Sequence, residues 1–110
     1  IIASSSYAPI IEHVYQRFGL EQYMEGYVDG NSIENGKPAP DIFLKAAAEL
    51  GVKPENCLII EDSENGVNGA HQAGAKVIGF NRAQAESQDL SKADLIIEEY
   101  NQENLNKALA

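Results

Sequence analysis

The stretch from Cys57 to Phe80 constrains the fold most. Cys57-Leu58-Ile59-Ile60 is an unbroken apolar run, Glu61-Asp62-Ser63 follows it, and Val67, Ala70 and Ala73 then recur at helical spacing as far as Gly74. Lys76 to Phe80 is a second strand-like run. Two strands joined by a helix, with no hairpin turn between them, pair in parallel, and a continuously apolar run suits a strand buried on both faces.

The same alternation extends in both directions. Ile1-Ile2-Ala3 reads as a short strand that runs into Ser4-Ser5-Ser6, where a serine can cap a helix whose first turn accepts Pro9. Ile11, Val14, Tyr15 and Phe18 then share one helical face, and Gly19 stops it. Gly26-Tyr27-Val28 is a weaker strand closed by Asp29-Gly30, and Gly30 to Gly36 reads as a loop. Pro40 and Asp41 open a helix with Phe43, Ala46, Ala47 and Leu50 on its apolar stripe, ended by Gly51 and Pro54. A strand from Ala93 to Ile97 and a helix from Glu103 to Leu109 complete the chain. The pattern predicts an α/β fold, a Rossmann-like parallel sheet with helices on both faces, in which ligands bind beyond the carboxyl ends of the strands.

Charge narrows the partners. Against 8 Lys and Arg stand 17 Asp and Glu, a net −9 over 110 residues, so nucleic acid and anionic membrane surfaces are not expected partners. A phosphate ligand would need a local cation to overcome the same field. No apolar run reaches the roughly 20 residues that span a bilayer. Cys57, the single cysteine, reads as a small buried hydrophobe, and a reducing cytoplasm is the expected setting. His13 and His71 read as helix-face residues without metal-ligand spacing.

Three groups of residues carry chemistry, and each also has a plain structural reading. Glu61 and Asp62 end a buried strand, where two adjacent carboxylates repel unless a divalent cation joins them. With oxygen ligands and room for water and phosphate, Mg²⁺ is the fitting ion. Equally, Asp62 or Ser63 simply caps the next helix. Lys37 lies in Gly36-Lys37-Pro38-Ala39-Pro40-Asp41, stiffened by two prolines, as a placed point charge or as a solvated turn lysine. Ser4 and Ser5 offer a hydroxyl and a backbone N–H to an anion, or a cap.

Taken together, these segments resemble the haloacid dehalogenase superfamily, in its branch of β-phosphoglucomutase-like phosphatases. Ile1-Ile2-Ala3-Ser4 is similar to the second motif of that family, Gly36 to Phe43 to the third, and Leu58 to Val67 to the fourth; the likeness weakens beyond Asn81. The resemblance implies that Ser4 and the Ser5 N–H bind the transferring phosphoryl group and that Lys37 balances its charge. It further implies that Asp62 binds Mg²⁺, with Glu61 as a direct or water-mediated partner. The family's nucleophilic and acid–base aspartates, and its substrate-selecting cap, lie upstream of a chain like this one. Residues 1–110 are therefore expected to be the C-terminal part of a core domain, cut mid-strand at Ile1, inactive alone and completed by an N-terminal segment of the same protein. The absent strand would sit between those at Ile1 and Leu58. The implied reaction is Mg²⁺-dependent phosphoryl transfer through an aspartyl-phosphate, hydrolysing a small phosphorylated metabolite such as a sugar phosphate. A sugar-phosphate mutase is the alternative in the same fold, weakened because Tyr7 stands where mutases of this branch carry lysine. A non-catalytic Mg²⁺- and anion-binding module is the alternative from another class.

Overall fold

The computed structural model of the chain describes residues 1–82 and 88–110. Its elements follow the order β1 (Ile2–Ala3), α1 (Ala8–Arg17), β2 (Tyr27–Val28), α2 (Asp41–Leu50), β3 (Leu58–Glu61), α3 (Glu64–Ala73), β4 (Lys76–Phe80), β5 (Leu95–Ile97) and α4 (Gln102–Leu109). Every strand pairing is parallel. Ile2 lies opposite Tyr27 in one ladder; Leu58 lies opposite Lys76, and Ile78 opposite Leu95, in the other. The strands form two groups, β1-β2 and β3-β4-β5, so β1 and β3 each pair on one side only among the described residues.

Alternation along β4 sorts the core into two layers, because successive side chains of a strand point to opposite faces. Val77 joins Ile42, Phe43 and Ala46 of α2 and Val67 and Ala70 of α3 in the main cluster, with Ala3 and Ile59 packed against it. Ile78 turns the other way and meets Ile97 and Ala108 of α4. Helices thus cover both faces, and α2 touches β1, β2 and α3 while α3 touches β3 and β4. The two strand groups are held together through that helix pair. On the outer face Lys76 Nζ donates to the Ala108 and Ala110 carbonyls at 3.0 and 3.1 Å, tying down the end of α4, where a cation also favours the helix dipole.

Several expectations need correction. β3 is not buried on both faces: Ile59 is half-buried, but Leu58 and Ile60 are 37% and 52% exposed, because they face an apolar groove beside α4 that no described element fills. Cys57 is half-buried just before the strand, its Sγ 3.5 Å from the Lys53 carbonyl. Of the stripe expected on α1 only Ile11 is buried; Val14 and Phe18 are exposed, since the helix touches the rest of the fold along a narrow line. Leu50, at the last turn of α2, is also exposed. The serines do not cap α1: Tyr7 occupies the cap position without a side-chain bond. Instead α1 is fastened to β2 by the Tyr27 hydroxyl, which donates to Glu12 Oε2 at 2.7 Å. That bond, lost if the phenol ionised, holds Tyr27 above the ordinary tyrosine pKa.

Ile42 is fully buried at the junction of the two strand groups. Ile42→Ala is expected to cost about 2–5 kcal/mol of unfolding free energy, from lost transfer energy plus the cavity, and urea titration measures it.

Candidate functional site

Two strand ends, those of β1 and β3, and the Lys37 loop meet at a cleft of about 640 Å³, lined by Ser4, Ser5, Ser6, Lys37, Glu61 and Asp62 among others. All five residues singled out in the sequence therefore lie on one surface. This is the carboxyl edge of the strands, and the cleft opens between β1 and β3, each of which pairs on one side only among the described residues.

Each wall has its own support. Ser4 N donates to the Val28 carbonyl at 3.0 Å, continuing the ladder one step beyond β1, and Gly30 N donates back to the Ser6 carbonyl at 2.9 Å. The Ser4 hydroxyl accepts from Ser6 N at 3.1 Å, the two-residues-on bond by which a serine side chain shapes a turn. The serines thus shape a cleft wall and leave the helix end to Tyr7. Lys37 stands in the proline loop, fixed at its far end by Asp41, whose Oδ2 accepts from the Asn35 N–H and side-chain amide at 3.1 and 3.2 Å. Its side chain reaches inward, with Nζ 5.0 Å from the centre of the Phe43 ring and hydrogen-bonded to Glu61 Oε2. The Lys37 and Glu61 side chains are only 14% and 10% exposed, so their charges are screened far less than those of a surface pair.

The other Glu61 oxygen accepts from Asp62 N at 3.1 Å. Ser63, not Asp62, caps α3, its Oγ accepting from Gly66 N at 3.0 Å. The capping alternative therefore holds for Ser63 and leaves the Asp62 carboxylate free of it. Asp62 reaches outward to Arg82, whose Nε lies 3.3 Å from Oδ2, with both side chains well exposed. The Asp62 charge also helps raise the Tyr100 phenol, though burial is the larger cause; that ring stacks on Phe80 at 4.4 Å. His13 and His71 are exposed, as expected. Among the described residues, no three His, Cys, Asp or Glu side chains gather as a protein-only metal cage would require.

Sequence reasoning missed Arg82. It sits just past the carboxyl end of β4, the position that drew attention to Asp62 after β3, and the same rule would have found it.

A family model of haloacid dehalogenase-like hydrolases matches residues 1–74. The chain belongs to that family. Within it, the chain is 35% identical over 97 residues to β-phosphoglucomutase of Bacillus subtilis, covering 88% of this chain and 40% of the relative. It is 32% identical over 106 residues to hexitol phosphatase A of Escherichia coli, covering 96% of this chain and 48% of the relative. Its fold is similar to that of a crystallised HAD family hydrolase of Deinococcus radiodurans, solved with bound phosphate and sodium. The TM-score is 0.77 and the identity 30%, over 96% of this chain and 49% of that one. The chain spans between 26% and 48% of the length of the curated relatives it matches.

Removing the Lys37 amine leaves a largely buried carboxylate without its partner. Lys37→Met is expected to lower stability by roughly 1–3 kcal/mol, and adding Glu61→Gln should recover part of that loss in a urea double-mutant cycle.

Proposed function

We propose that the protein carrying this chain is a phosphatase that transfers the phosphoryl group of a small metabolite, such as a sugar phosphate, to a carboxylate and then to water. The observation that supports it is the shared cleft: a serine turn, an oriented ammonium and two carboxylates at one sheet edge. Phosphoryl transfer asks a protein mainly for positioning and charge stabilisation, and these groups supply both. The names of the relatives, a hexitol phosphatase and a β-phosphoglucomutase, point to phosphorylated carbohydrates.

In this reading residues 1–110 form the C-terminal part of the core, and a segment of the same protein lies in the space between β1 and β3. That segment brings the attacking aspartate. Its carboxylate oxygen bonds to phosphorus as the ester P–O bond breaks, the leaving alcohol gains a proton, and water then cleaves the acyl phosphate to release inorganic phosphate. The Ser4 hydroxyl and the Ser5 N–H donate to phosphoryl oxygens. The Lys37 ammonium, steadied by Glu61 and Phe43, donates to the phosphoryl group and the attacking carboxylate. Asp62 and Glu61 fit Mg²⁺, an ion commonly held by one or two carboxylates plus water and substrate phosphate, which matches a roomy cleft in which no three acids gather as a cage among the described residues. A bound Mg²⁺ supplies positive charge against the phosphoryl oxygens. Asp62 would exchange Arg82 for the ion, a small cost because exposed pairs contribute little. A reducing cytoplasm suits the lone thiol of Cys57.

Asp62→Ala in the full-length protein is expected to reduce phosphate release from sugar phosphates by at least about a hundredfold, with added Mg²⁺ failing to restore it. Undiminished Mg²⁺-dependent turnover would remove Asp62 from its role. Isomerised sugar phosphate in place of free phosphate would identify a mutase, and binding of phosphate without turnover would identify a non-catalytic module.

A further inference from the structure

Helix α3 carries glycine at two buried positions facing the site, Gly66 and Gly69, and both are places of close approach. A β-carbon on Gly66 would stand 2.1 Å from the Glu61 Cδ and 2.3 and 2.4 Å from its two carboxylate oxygens. One on Gly69 would stand 3.0 Å from the Ala39 carbonyl oxygen and 3.2 Å from that of Pro38, in the loop that carries Lys37. Local structure gives no reason for either residue, because glycine is the poorest helix former after proline.

A clash with the tip of a glutamate is normally relieved by rotating the glutamate away. Here that route is closed on several sides. One Glu61 oxygen is bonded to Lys37 and the other to Asp62 N, and the side chain is only 10% exposed. Moving the carboxylate therefore moves the ammonium. We propose that Gly66 is a positioning residue of the site: its missing side chain is the space in which the Glu61 carboxylate lies against the first turn of α3, and from there it aims Lys37 at the cleft. Gly69 does the complementary task for the loop, so one helix sets the separation of both members of the pair. The functional weight of the pair rests on the phosphoryl-transfer reading; the steric coupling does not.

The test is a cycle of Gly66→Ala and Glu61→Ala in the full-length protein, read by melting temperature, Mg²⁺ titration calorimetry and the side-chain ¹⁵N resonance of Lys37. With Glu61 present, Gly66→Ala should lower Tm, shift the Lys37 resonance towards that of a solvated lysine and weaken Mg²⁺ binding by about tenfold or more. With Glu61→Ala in place the space is empty, so the same change should raise Tm, as alanine favours the helix. Ala73→Gly, in the last turn of α3, is the control: it should lower Tm while leaving the Lys37 resonance and Mg²⁺ affinity unmoved. If Gly66→Ala alone does not fold but the double variant does, the coupling is upheld. If Gly66→Ala changes Tm by the same amount and sign in both backgrounds, or neither variant folds, the proposal is overturned. Absence of Mg²⁺ uptake by the unsubstituted protein would count against the dication reading, and the Tm cycle with the Lys37 resonance would still decide this one.

Discussion

The ion pair between Lys37 and Glu61 is the interaction on which the site depends. Lys37 comes from the loop that follows the β1-β2 group, and Glu61 ends β3 in the other group. No ladder of backbone bonds joins those groups among the described residues, so the pair is the polar link between them at the cleft. A buried pair of this kind is not in itself a strong stabiliser, because desolvation offsets most of its attraction. Its value is geometric. Each charge fixes where the other stands, with the Phe43 ring and the Asp62 N–H limiting the remaining freedom.

This local order also answers an electrostatic problem set by the whole chain. A molecule of net −9 repels phosphate at long range, and the cleft itself is lined by three acids, Glu61, Asp62 and Glu64. At contact distance, however, the serine turn holds a hydroxyl and the Ser5 N–H, the ammonium is fixed in place, and Glu61 and Asp62 each already face a cation. In the proposed phosphatase, discrimination would therefore operate over a few ångströms, where fixed dipoles and a largely desolvated charge outweigh a screened general field.

Much of this was legible in the sequence. The order of strands and helices followed from periodicity and from punctuation by Gly51, Gly74 and Pro40; four of the five candidate site residues followed from their places at strand ends, and Lys37 from its proline-stiffened loop. The open groove beside Leu58 and Ile60 was not legible, because an apolar run records that a surface favours burial and not which neighbour provides it. For the same reason Val14 and Phe18 look like core in a helical pattern yet lie exposed on α1. Ser63 could not be told from Asp62 as the α3 cap, since both side chains suit that role and only backbone direction separates them. The tasks of Gly66 and Gly69 were hidden too: a glycine in a helix marks a close approach without saying to what.

The division of the strands into two groups has a mechanical consequence. Within each group, sliding one strand past another breaks ladder hydrogen bonds; between the groups, it disturbs side-chain packing along α2 and α3 and the Lys37–Glu61 pair. Among the described residues the width of the cleft is thus a softer coordinate than the register within either group, and its stiffness depends in part on buried methyl groups such as those of Ala46 and Ala70. Enlarging one of them would be felt at the serine turn as a change of gauge, although nothing polar had been touched.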